Sequence, residues 1–407
     1  MTHIRQAIRS GHWPSLVGAW LHFEFSFVVW LLVGALGVLI ASEFGLTATQ
    51  KGFLVAVPLL SGAVLRVAVG ASSDCFGPKR TGLAILVFEL AALLWGWLGA
   101  STYLEVLAGG VLLGVAGASF AVALPLASRA YPPAHQGLVM GVAASGNSGT
   151  VLAAFFAPRL AEVVGWHGVF GLITFPVLLT LALYGWLVRN DAETVTPGAP
   201  QAWGPLLAEA LRRPSMYWLC FMYAITFGGF VGLASFLPIF FHDQYGLALV
   251  TAGSMTAACG LAGSVTRPVG GYLADRIGGL RVLAGLFPAI GVLVVGVSLL
   301  PPLALAAPLM ILAVATMGFG NGVVFQVVSH RFKHQIGIAS GLIGAAGGLG
   351  GFFLPSALGV LKDAVGTYQA GFLLFAAFCR AAWFSVLLAS DRRRFPANGQ
   401  GGWLSGQ

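Results

Sequence analysis

The chain has 407 residues, of which 58% are hydrophobic and only 8% charged, with a formal net charge of +8 and a mean hydropathy of +0.89. So few charges cannot cover a soluble protein of this length, and so many apolar residues exclude disorder, which leaves a polytopic membrane protein with lipid as its outer solvent. The four cysteines, Cys75, Cys220, Cys259 and Cys379, lack C-x-x-C spacing and read as packing residues, so no disulfide frame, metal centre or cofactor is expected.

Twelve apolar spans are predicted, at about 15–41, 52–73, 81–102, 104–128, 137–158, 165–188, 215–241, 249–274, 282–300, 303–328, 336–360 and 368–390. The polar, basic start runs through Pro14 without a small-residue cleavage site, so span one is expected to be retained. Span one carries His22 and Glu24. Residues two apart on a helix point about 200° from each other, so at most one of them faces a central cavity. Glu24 is the candidate proton carrier, with a structural salt bridge as the competing reading. Arg66 lies near the middle of span two and Arg267 near the middle of span eight. Glu89 in span three and Arg380 in span twelve are expected on the scaffold side, paired with each other or with Arg380 snorkelling. Asn321 and Gln326 in span ten either line a pathway or bond across helices.

The longest polar stretch, Asn190–Pro214, divides six spans from six. The expected organisation is a six-helix bundle at 1–189, a cytoplasmic linker at 190–214 with a short surface helix from about 205 to 211, and a second six-helix bundle at 215–407. Sorting Lys and Arg by alternate sides puts fifteen on one side, three on the other and three within spans. By the positive-inside rule both termini are cytoplasmic, in a cytoplasmic (inner) membrane, and the basic residues are topological anchors that need no nucleic acid. His330-x3-His334 has metal-like spacing but sits at a span end with no adjacent glutamate, and reads as a basic loop. No nucleophile elbow or phosphate loop supports an enzyme.

The chain contains an internal repeat. Gly62-x-Val64-x-Arg66-x3-Gly70-x3-Asp74-x2-Gly77 recurs 201 residues later as Gly263-x-Val265-x-Arg267-x3-Gly271-x3-Asp275-x2-Gly278. Gly137-x3-Gly141 answers Gly337-x3-Gly341, and Gly146-x2-Gly149 answers Gly347-x2-Gly350. Each intramembrane arginine costs about 2.5–3.5 kcal/mol on insertion scales, so the pair marks a task that apolar packing cannot perform, such as holding a small anion at mid-membrane. Gly146, Gly149, Gly344, Gly347, Gly348, Gly350 and Gly351 either let helices approach closely or thin a wall that must slide; glycines weaken a helix by up to about 1 kcal/mol each relative to alanine. Two six-span halves related by a parallel repeat match an all-α major facilitator architecture with its substrate site between the halves.

The loop Gly70-x3-Asp74-x2-Gly77-Pro78-Lys79-Arg80, echoed by Gly271-x3-Asp275-x2-Gly278-x2-Arg281, resembles the major facilitator signature. Asp74 and Asp275 then read either as a cytoplasmic latch or as solvated turn residues. Ala144-Ser-Gly-Asn147-Ser-Gly149 and the run from Gly341 to Pro355 resemble the paired nitrate signatures of the nitrate/nitrite porter family, although Ser148 stands where that family has Met or Leu. The resemblance covers all twelve spans. It implies that Arg66 and Arg267 bind substrate, with Phe120, Tyr223 and Phe227 as binding-site aromatics and Asn147 as an amide donor.

Nitrate is planar and monovalent, and a guanidinium is a planar, permanently charged fork that can donate two parallel hydrogen bonds to it. The expected activity is secondary active transport of nitrate, and nitrite with it, by a monomer using alternating access. An inside-negative potential opposes anion entry by about 2.3 kcal/mol per 100 mV, so uptake needs either symport with protons, the favoured expectation, or exchange for internal nitrite. A carrier of another small monovalent anion is a further alternative.

Overall fold

The computed structural model describes residues 10–132, 136–189, 203–332 and 336–390. In chain order its long helices are α1 (Trp13–Glu43), α2 (Ala48–Phe76), α3 (Pro78–Leu98) and α4 (Tyr103–Arg129), followed by a 49-residue stretch, Val139–Leu187. Gly165 interrupts that stretch with φ 71° and ψ 167°, a conformation that suits glycine alone, and so makes two spans, α5 (136–164) and α6 (166–187). Then come α7 (Pro214–Tyr245), α8 (Leu249–Ile277), α9 (Gly279–Ser298), α10 (Leu303–Arg331), α11 (Ile336–Val365) and α12 (Gln369–Ser390). Twelve spans therefore stand where twelve were predicted. The surface helix is found at Trp203–Arg212; linker residues 190–202 and His334 lie outside the described residues.

The repeat is visible in the backbone. The turns from α2 to α3 and from α8 to α9 each pivot on one left-handed glycine, Gly77 (φ 86°) and Gly278 (φ 91°), 201 positions apart. A side chain there would strain a one-residue turn between two long helices. At the start of α2, Thr47 and Gln50 form a reciprocal capping box that satisfies two otherwise orphaned backbone donors.

α1 and α7 are the most enclosed helices, with 83% and 94% of their apolar windows buried, and they form the axis of the molecule. Outer helices show the reverse: Leu98 on α3, Trp186 on α6, Val292 on α9 and Phe378 on α12 are exposed, as suits faces solvated by lipid. Arg380 is exposed on α12, its guanidinium carbon 5.6 Å from the Phe384 ring. Glu89 is fully buried on α3 and has no ion pair among the described residues. The pairing alternative for these two is therefore corrected: they belong to different halves, one facing inward and the other outward.

The halves meet along α2 and α11, α5 and α8, and α1 and α7. At the end of the molecule away from Asp74 they are tied by polar contacts. Lys51 Nζ lies 2.7 Å from Asp243 Oδ2, and the Tyr368 hydroxyl donates to the same oxygen at 3.1 Å. Asp363 accepts from the backbone N–H groups of Ala48 (3.1 Å) and Thr49 (2.7 Å), capping α2 from the other half. Arg159 Nη2 reaches Ser254 Oγ at 2.9 Å between α5 and α8.

Candidate functional site

Arg66 is 2% exposed at the centre of α2. Its Nε donates to the Gly117 carbonyl at 2.9 Å and its Nη1 to the Gly344 carbonyl at 2.5 Å, so the side chain bridges the halves. The Gly117 acceptor exists because α4 breaks: regular helix ends at Gly117 and resumes at Phe120. The guanidinium carbon lies 5.2 Å from the Trp30 ring, 5.8 Å from Phe120 and 5.2 Å from Phe227. Three aromatic faces thus solvate a charge that has no carboxylate partner among the described residues. Nη2 is buried and makes no hydrogen bond.

Arg267, 8% exposed on α8, has its own unpartnered buried nitrogen, Nη1. The two arginines are close enough to interact electrostatically, and Tyr223 interacts with both. Tyr223 stacks parallel on Phe227 at 5.0 Å, and Phe325 of α10 meets Tyr223 edge-on at 5.0 Å and Phe120 at 5.7 Å. The Tyr223–Phe325–Phe120 contacts join α7, α10 and α4 and form an aromatic floor across both halves.

The glycines of α11 explain how these groups come so close. The helix runs unbroken, and a Cβ on Gly347 would lie 2.7 Å from the Tyr223 ring and 2.8 Å from that of Phe227. Gly350 packs on the Ala224 backbone and Gly351 on Val231, both on α7. On the other face, a Cβ on Gly348 would lie 2.7 Å from the Ala63 Cβ, and one on Gly344 would lie 3.3 Å from Arg66 Nη1. In this conformation all five therefore permit close approach.

Asn147, 1% exposed, sits on a 3-10 turn, Ser145–Ser148, between the helical parts of α5. Both amide atoms of its side chain are unpartnered, while its backbone carbonyl accepts from the Thr150 hydroxyl. Gly146 and Gly149 press the turn against the α1 backbone at Glu24. Glu24 is buried, accepts from Ser148 Oγ at 2.7 Å, and has no ion pair among the described residues, which removes the salt-bridge alternative. His22 turns the other way, with Nε2 3.2 Å from the Gly82 carbonyl and its ring 5.0 Å from Tyr184.

Asp74 pairs with Arg129 at 2.7 Å within its own half. Asp275 is exposed and makes no ion pair among the described residues. Neither ties the halves together in this conformation. Trp30, Phe325 and the Gly117 carbonyl complete the site and carry no mark in the sequence, while Gly344 is marked there as a small residue but not as an acceptor.

Paired helical halves with charged donors buried where they meet define a secondary transporter of the major facilitator fold. The family model described as Major Facilitator Superfamily matches residues 19–355, and the crystal structure of a D-xylose–proton symporter superposes with a TM-score of 0.71 at 18% identity, over 95% of this chain and 98% of that one. The chain belongs to the major facilitator superfamily and, within it, to the nitrate/nitrite porter family. It is 36% identical over 373 residues to the probable nitrate/nitrite transporter NarK2 of Mycobacterium tuberculosis, covering 90% of this chain and 91% of that protein. It is 31% identical over 395 residues to the probable nitrate/nitrite antiporter NarK1 of Thermus thermophilus, covering 89% and 87%.

Proposed function

We propose that this protein carries nitrate, and nitrite with it, across the cytoplasmic membrane by alternating access, with nitrate uptake coupled to protons. The observation that carries the proposal is the buried arginine pair, one from each half, each with an N–H unmatched by any protein acceptor. Two forks in an aromatic, water-poor enclosure suit a small, flat, weakly hydrated oxyanion. The guanidinium groups repel one another, and an anion between them replaces that repulsion with attraction on both sides, so substrate itself favours closure. Asn147 supplies an amide donor, while Phe120, Tyr223 and Phe227 exclude water and set the width.

Residues 1–189 and 215–407 act as the two rocking bundles, joined by 190–214. With both termini cytoplasmic, the end tied by Lys51, Asp243 and Asp363 is the outer one, and the conformation is closed to the outside. Asp74 and Asp275 serve as latch residues on the cytoplasmic side in the alternate state. Glu24 carries the proton, since it is a buried carboxyl without a cation partner and hydrogen-bonded to the turn that bears Asn147. The bundle pair contains a complete pathway and functions as a monomer.

Exchange of external nitrate for internal nitrite is the second reading, favoured by the similarity to the Thermus relative, a probable nitrate/nitrite antiporter. Uptake into proteoliposomes under an imposed potential, with and without internal nitrite, separates the two. Symport with two protons per nitrate moves net positive charge inward and gives uptake that rises with inside-negative potential and acid outside; uptake that ignores both and requires internal nitrite refutes it.

A further inference from the structure

Asn321 is fully buried on α10, and neither its Oδ1 nor its Nδ2 has a hydrogen-bond partner. Its direction follows from its neighbours. Gly318 and Gly322 lie against α8, where added Cβ atoms would meet the Gly263 and Arg267 carbonyls. Met317 lies against α7, since a Cβ on Gly229 would sit 2.9 Å from Met317 Sδ, and Gly320 lies where α7 and α9 meet, its added Cβ 2.7 Å from both Thr226 Cγ2 and Leu286 Cδ2. Asn321, about 100° around the helix from both Gly320 and Gly322, falls in the gap between those faces. Phe325, one turn on along the same face, already touches Phe120 and Tyr223 in the site.

A carboxamide buried with both ends unpaired is costly unless something answers it. The hydroxyl of Thr226, which packs on Gly320, does not, since its Oγ1 is also unpartnered. Asn147 presents the same unpaired amide from the other half.

We infer that Asn321 is a substrate-contacting residue of the C-terminal half, so that each half offers the anion one guanidinium and one carboxamide. The inference rests on the proposed nitrate and nitrite transport. Nitrate, with three oxygens, needs both carboxamides in addition to the two forks; nitrite, with two oxygens, is held by the forks. Asn321 therefore sets the preference between them.

The test is tracer counterflow of each anion in proteoliposomes bearing wild type, Asn321→Leu or Asn321→Asp, with the melting temperature in detergent as a second readout. Asn321→Leu keeps the branched outline, with somewhat more bulk, and removes the amide. The expected result is a nitrate KM raised about tenfold or more, a nitrite KM changed less than threefold, and a melting temperature that does not fall. Asn321→Asp keeps the shape and adds a negative charge, and is expected to abolish nitrate counterflow even if the leucine variant fails to fold. An unchanged nitrate KM in Asn321→Leu, an equal weakening of both anions, or wild-type nitrate counterflow in Asn321→Asp would each overturn the inference. A wild type that exchanges neither anion would instead sink the proposed function, and this inference with it.

Discussion

Arg66 commits Nε and Nη1 to backbone carbonyls and leaves Nη2 for a guest, so its orientation is fixed before any anion arrives. Such preorganisation lowers the ordering cost of binding. Glu24 is held in a comparable way, by Ser148 from α5 and by two glycines that bring that helix onto α1. As the proposed proton carrier it should be separable from the anion site. Glu24→Gln is expected to abolish pH-driven nitrate accumulation while leaving nitrate counterflow within about twofold of wild type; accumulation that still follows pH in this variant would remove Glu24 from the coupling. The arginines and glutamates were legible in the sequence because a charge inside an apolar span stands out by its cost. Trp30 and Phe325 were not, because an aromatic residue in an apolar span carries no contrast. The Gly117 carbonyl is a main-chain group with no signature, freed by a helix break that composition does not announce, and the Gly344 run signals small residues but not that a carbonyl there accepts from Arg66.

At the scale of elements, α11 is read most sharply. Its glycine run was open to two readings, a flexible wall or close packing, and in this conformation the helix is unbroken and closely packed on two faces. Spacing cannot distinguish these readings, since both require small residues at the same positions; only the identity of the facing helices does. The structure gives a graded test within one helix. A Cβ on Gly350 would collide with the Ala224 backbone, whereas one on Gly341 meets nothing within 4 Å. Gly350→Ala is expected to destabilise the protein by about 1–3 kcal/mol, the usual cost of overpacking, and to lower its melting temperature. Gly341→Ala should be neutral or slightly stabilising, through its better helix propensity. Equal melting temperatures for the two variants would show that α7 and α11 are not packed as described.

For the whole molecule, the 201-residue repeat carried twelve spans, two halves and the matching turns at Gly77 and Gly278, because a repeat of that length fixes topology. Which end is closed was not legible: the tie depends on Lys51, Asp243, Asp363 and Tyr368, which are far apart in sequence and meet only when α2, α7, α11 and α12 converge. Such partly exposed pairs contribute about 0.2–1 kcal/mol each, enough to bias two conformations without locking either. Asp243→Asn is therefore expected to shift the population toward opening at this end by about 1.5- to fivefold, read as faster alkylation of a cysteine placed at Val55, which is buried in this conformation, in a background without the native cysteines. An unchanged rate would mean that this cluster does not hold the outer end shut.

The central claim is that one guanidinium from each half grips a flat oxyanion between them. Tracer counterflow of nitrate with Arg66→Lys and Arg267→Lys tests it most directly, because lysine keeps the charge and removes the planar fork. Each variant, folded and reconstituted at wild-type density, should lose most of its nitrate exchange; exchange above about half of the wild-type rate in either one would contradict the clamp.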